Sequence, residues 1–192
     1  MKRFYILSIL TSIILFSACQ NDSQITGPQS TEFQKAQTYE PLWIGLPQAA
    51  DISLHKKFWK EKKFKAKDGG ELVIDVTYTT RKNTEVVAYS SIYFPPKSLK
   101  KDCTIGMQID DNTGVAEFWP HQTFNEPAIL NQTFIGLDLS GIDVTQIKLF
   151  YIDKDGNYEV MEYDQLIIDV ESGTIQVING RIPHFSIYGF GI

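Results

Sequence analysis

Over residues 71–79 apolar and polar side chains alternate in steps of two, with Leu72, Ile74, Val76 and Tyr78 on one side and Asp75, Thr77 and Thr79 on the other. A strand with one face on a core and the other in water gives this pattern; a helix would repeat every three or four residues. A polar turn at Arg81-Lys82-Asn83-Thr84 and a second alternating run over 86–94 complete a hairpin. Pro95-Pro96 closes it, because neither proline has an N–H to give to a ladder. The same alternation predicts strands at 104–109, 115–119, 128–134, 146–152, 158–163, 166–170, 174–178 and 184–190. Between them stand Asp110-Asp111-Asn112, residues 136–143 and 153–157, Glu171-Ser172-Gly173 and Asn179-Gly180. Their Asp-Gly, Ser-Gly and Asn-Gly pairs supply the positive φ of tight turns. About nine or ten short strands without a long helical period predict an all-β protein, an antiparallel β-sandwich.

Upstream the pattern weakens. Leu54 and Phe58 are spaced for a short helix, but Phe58, Phe64 and Ala66 keep period two through a lysine-rich run and favour a strand. Residues 41–65, with Leu42, Trp43, Ile44 and Leu46 among prolines and glycines, read as an irregular or edge-strand lead-in to a domain over 66–192. Residues 19–40 are polar and aperiodic, which suits a flexible tether with a span of about 25 Å.

The start of the chain has a different character. Lys2 and Arg3 precede an apolar run over 4–16, and Ser17-Ala18 lead into Cys19. A basic start, a short apolar core and small residues at its end are the marks of a secretory signal over 1–18. The run is too short for a stable transmembrane helix. The small-small-Cys ending resembles the lipobox of bacterial lipoproteins, with Phe16 where leucine is commoner. That resemblance implies cleavage before Cys19, acylation of its thiol and amine (palmitate among the chains), and a stable membrane anchor. Gln20 rather than Asp after the cysteine favours the outer over the inner membrane in enteric-type bacteria. A plain secreted protein is the alternative.

Without Lys2 and Arg3, the 18 basic residues fall to 16 against 23 acidic ones, and this negative balance argues against a nucleic-acid partner. With Cys19 lipidated only Cys103 remains, so the core must hold the fold without an intramolecular disulfide. Lysines cluster at 56–67, where they either guard an edge strand or touch anionic headgroups; edge protection is the favoured reading.

Landmarks in order resemble the β-sandwich domain named for zonula occludens and netrin-receptor proteins, the ZU-five-like fold also present in ankyrins. They are Gly69-Gly70-Glu71-Leu72, Tyr93-Phe94-Pro95-Pro96 with Leu99, Phe124-Asn125-Glu126-Pro127-Ala128, and the closing His184-Phe185-Ser186-Ile187-Tyr188. Lys97 and Ser98 depart from the small pair expected after the prolines. The resemblance covers residues 66–192 and implies a sandwich and a role in protein interaction, with no shared substrate. In relatives that cleave themselves, the serine of His-Phe-Ser attacks the preceding carbonyl. Here Ser186 would be the nucleophile, Phe185 the scissile residue and His184 its polarising neighbour. A plain strand explains the same residues, with His184, Ser186, Tyr188 and Phe190 on one face and Phe185 and Ile187 on the other. Only Ser186–Ile192 would be released by a cut.

Other chemistry finds little support. His55, His121 and His184 are isolated, no Gly-x-Ser-x-Gly elbow occurs, and no ligands sit at metal spacing. Asp153-Lys154-Asp155-Gly156-Asn157 lacks the sixth-position glycine of a calcium loop and reads as a hairpin turn. No cofactor is expected. Trp119, His121 and Phe124 fall in a predicted loop, where exposed aromatics would meet a sugar or a protein. The leading expectation is a lipid-anchored envelope protein whose sandwich is a non-catalytic protein-interaction or assembly module. A self-cleaving domain and a carbohydrate-binding module are the alternatives.

Overall fold

The computed structural model describes residues 24–27 (backbone), 40–50, 58–152 and 155–192. The signal segment, Cys19, His55, Lys56, Lys57, Asp153 and Lys154 lie outside the described residues. Among the described residues twelve strands form two sheets that pack face to face as an antiparallel sandwich. One sheet runs in the order β1 (Gln24–Gly27), β10 (Gln165–Asp169), β11 (Thr174–His184), β7 (Thr123–Ile135), β4 (Glu85–Phe94), β3 (Gly70–Thr79). The other runs β2 (Trp59–Phe64), β5 (Cys103–Ile109), β6 (Ala116–Trp119), β12 (Ile187–Gly191), β8 (Lys148–Ile152), β9 (Tyr158–Val160).

The alternation over 71–79 works as predicted: Leu72, Ile74, Val76 and Tyr78 are buried, and Asp75, Thr77 and Thr79 face solvent. Asn83, at φ 62, makes the turn into β4. The core is rich in aromatic rings that meet across the two sheets. Phe134 of β7 lies edge-on to Phe190 of β12 at 5.7 Å, and Phe94 of β4 to Phe64 of β2 at 5.1 Å. Such offset contacts add about 0.5–1.5 kcal/mol each to the area they bury.

Three expectations need correction. Asn179-Gly180 is not a hairpin turn: β11 runs straight through it, with a register shift against β7 between Val177 and Gly180. Asn179 does take positive φ, 55°, but the extra residue is absorbed as a bulge that bends the strand instead of reversing it. The strand read over 184–190 is broken, because β11 ends at His184 in one sheet and β12 begins at Ile187 in the other. Part of the expected tether also pairs with the sandwich, as β1, and with the lead-in's edge strand β2 the strands among the described residues number twelve. β1 pairs with β10, β2 pairs with β5, and Leu42 and Ile192 exchange backbone hydrogen bonds of 3.1 and 3.2 Å. The lysine-rich run is a strand as expected, β2; the pairing of β1 with β10 was not foreseen, because four residues of a polar stretch carry no alternation to read.

β2, which carries lysines, is an edge strand of its sheet. Lys62 donates to the Glu71 carbonyl of β3 at 2.8 Å and lies over the Phe64 ring, so it bridges the rims of the two sheets.

Gln132 is the largest of the buried polar side chains among the described residues. It points inward from the centre of β7, wholly buried, and neither atom of its amide has a partner among the described residues. Burying an unpaired amide costs about 1–3 kcal/mol. Gln132→Met, of similar length, is expected to raise stability by about 1 kcal/mol in urea unfolding; a lower midpoint would show the amide is satisfied in solution.

Candidate functional site

Two places on the sandwich gather functional groups. The first is the crossover from β11 to β12. Phe185 turns inward there and stacks on Phe118 at 5.7 Å, with the rings of Phe94 and Phe124 edge-on at 5.8 and 4.8 Å. Its N–H donates to the Gln122 carbonyl at 2.9 Å, and the Ser186 carbonyl accepts from the Phe118 N–H at 3.3 Å. The Ser186 hydroxyl donates to the Ile152 carbonyl, and the Tyr188 hydroxyl reaches back to the His184 carbonyl. This last bond spans the sheet change and matches the tyrosine-corner geometry of sandwich proteins. The crossover is thus pinned through both backbone and side chains.

The Phe185 carbonyl, the bond that self-cleavage would attack, faces two imidazoles. His184 Nδ1 lies 3.3 Å from its oxygen and His121 Nδ1 3.4 Å. The sequence marked both histidines but gave no reason to join them; the chain brings His121 there by running from β6 into β7 past the crossover. Ser186, however, does not share a surface with His184 as alternation implied. Phe185, Ser186, Tyr188 and Phe190 are all buried, because a strand that changes sheets turns successive residues inward.

The second place is the outer surface of β2, β5 and β6. Trp119 is the last residue of β6 and only half-buried. Its indole lies over Gly106 of β5, where even a Cβ would come within 2.0 Å of the ring. Trp59 of β2, 46% exposed, lies beside it with ring centres 6.2 Å apart and planes 22° from parallel. Trp119 Nε1 donates to Glu61 at 3.4 Å. Trp59 was not singled out from the sequence, although the inward parity of Phe58 and Phe64 assigns its side chain to the outer face. Phe124 is a correction: it sits in β7, half-buried, packed on Phe94 and Phe185 at 5.6 and 4.8 Å, and is not on a loop. Only Pro120, His121 and Gln122 separate β6 from β7, and His121 is exposed.

Among the described residues no three His, Cys, Asp or Glu side chains stand together as a metal site, and no helix is long and apolar enough to cross a membrane. Cys103 is half-buried and accepts from Gln122 Nε2 at 3.5 Å. No family model, curated protein or solved structure matches the chain.

Burial, and after it the neighbouring Tyr151, pushes the Tyr188 hydroxyl well above its ordinary value of 10.0. Burial and then Asp111 raise Tyr78 to about 12, with its hydroxyl donating to the Pro47 carbonyl at 2.6 Å. The fold holds these protons more tightly than the unfolded chain does. The stability they contribute is therefore complete below about pH 10 and is lost as pH climbs through the folded-state values. Tyr188→Phe is expected to cost about 1 kcal/mol at pH 7 and to flatten the alkaline decline above pH 10. Urea unfolding at several pH values measures both, and a neutral substitution would deny the corner its role.

Proposed function

We propose that the protein is an envelope lipoprotein, anchored through Cys19, whose sandwich is a non-catalytic binding module that presents the Trp59–Trp119 face to its partner. One observation carries the reading: two near-parallel indoles are held at the surface of a three-strand floor, one of them 46% exposed. An exposed tryptophan on rigid backbone loses little conformational freedom when it binds, which is why such residues dominate recognition surfaces. The basic start, apolar run and Ser17-Ala18-Cys19 support the anchor, and the ZU-five-like landmarks support an interaction role. Gln20 favours the outer membrane.

A second reading, self-cleavage between Phe185 and Ser186, draws support from the two imidazoles at the Phe185 carbonyl. Against it, the Ser186 hydroxyl is engaged by Ile152 and would have to leave that carbonyl to attack its own peptide. The structural corner accounts for every one of these residues and is preferred.

Cys19→Ser is expected to abolish palmitate labelling. In isolated envelopes of cells making the unaltered protein, Trp59 should be oxidised by N-bromosuccinimide more slowly than in the purified protein. Equal rates would leave the face without a partner. The intact mass of the purified protein, measured after denaturation, should include Ser186–Ile192. A mass lacking those seven residues, restored by Ser186→Ala, would establish cleavage instead.

A further inference from the structure

We infer that the ligand of the Trp59–Trp119 face is a neutral glycan, its pyranose rings stacked on the two indoles. The inference rests on the binding role proposed for that face and assigns it a chemistry.

The register of the three strands lays the face out in two rows. Trp59, Gln108 and Glu117 stand side by side across β2, β5 and β6, and the next row is Glu61, Gly106 and Trp119. The tryptophans occupy opposite corners. They meet because the middle of the second row is a glycine, and the Trp119 ring fills the space its side chain would take. The outcome is a shallow aromatic surface without walls, edged by Gln108, Glu117 and Glu61, with Lys63 and Thr104 in the following row.

That edging selects among partners. A pyranose ring presents a face of C–H bonds, which suits the negative face of an indole, and a rim of hydroxyls. Each hydroxyl needs an acceptor or donor once water is displaced. Carboxylates accept O–H hydrogen bonds strongly, and a carboxamide such as Gln108 both gives and accepts. Glu61, Glu117 and Gln108 are exposed and stand within one strand spacing of the rings. The same two carboxylates repel an anionic lipid surface or an acidic polysaccharide; of the lysines of β2, Lys62 is turned to the rim and Lys63, one row beyond Glu61, leaves the two rows that hold the rings acidic. A protein partner would be expected to bring apolar side chains to an apolar centre fenced from water. Here carboxylates and an amide stand directly beside the rings.

The test uses the full-length protein in a polyoxyethylene detergent. It is sedimented with insoluble cellulose, curdlan, chitin and mannan, and its tryptophan emission is titrated with the corresponding soluble oligosaccharides. Parallel arms use alginate and phosphatidylglycerol vesicles. Binding to at least one neutral glycan, weakened about tenfold or more by Trp59→Ala and by Gly106→Ala, is expected. Leu42→Ala removes another exposed apolar side chain, 69% exposed, and should leave binding unchanged. Near-ultraviolet dichroism of each variant reports folding, and Trp59→Ala, on an exposed edge strand, supplies the result if Gly106→Ala unfolds. Failure to bind any neutral glycan, or binding undiminished by Trp59→Ala, overturns the inference. Trp59-dependent binding to alginate or vesicles alone also overturns the glycan class, yet leaves the binding role of the face standing. Equal Trp59 oxidation in envelopes and in solution removes that role itself.

Discussion

Between His184 and Ile187 the chain leaves one sheet and enters the middle of the other, and both halves of the sandwich depend on that step. β11 is held on both sides by β10 and β7, and β12 by β6 and β8. A strand in the middle of a sheet cannot drift, so the short connection fixes how the sheets face one another. The packing follows from it: Phe185, drawn inward by the turn, gathers Phe94, Phe118 and Phe124 into one cluster at that end of the core. The polar groups of the turn are returned to neighbouring backbone by Ser186 and Tyr188. In this setting His-Phe-Ser-x-Tyr reads as the grammar of a sheet change: an aromatic to bury, a hydroxyl to tie down, and a tyrosine to reach back.

Much of the fold was legible from alternation alone, and the reason is local. In β3 each residue from Leu72 to Thr79 is told inward or outward by its own position, because one face of the strand is open to solvent. Where the position of a residue depends on distant chain, the sequence was mute. Asn179-Gly180 has the composition of a hairpin turn, and only the continued pairing of β11 with β7 beyond it makes it a bulge. Period two over 184–190 runs through a break in the strand because side chains at a corner all turn toward the core. β2 carries lysines at both parities, so its membership of a sheet rests on backbone pairing with β5.

The candidate sites divide the same way. Trp119 was visible as an aromatic outside the core pattern, yet its neighbour Trp59 lies on a strand two lanes away and joins it through the register over Gly106. His121 and His184 were visible one at a time; their approach to a single carbonyl is a product of the β6–β7 connection. Phe124 looked like a loop aromatic because Pro127 hid the start of β7. That proline sits inside a register shift of the β11–β7 pairing, between Ala128 and Thr123, where a missing N–H is tolerated.

The backbone clasp between Leu42 and Ile192 bears on how the molecule comes to be folded. It joins segments separated by nearly the whole described chain, and β12, beside which it forms, needs β6 and β8 already in place. Closing so long a loop is entropically unfavourable and must await contacts that shorten it. Hairpins such as β3–β4 form from neighbouring residues, whereas the second sheet is completed by its most distant pairing. Topologies dominated by such contacts fold in milliseconds to seconds, far more slowly than helical bundles. Until β12 docks, the edges of β6 and β8 that face it lie open with their hydrogen-bonding groups unmatched. That interval is when the chain is most vulnerable to aggregation and to proteases.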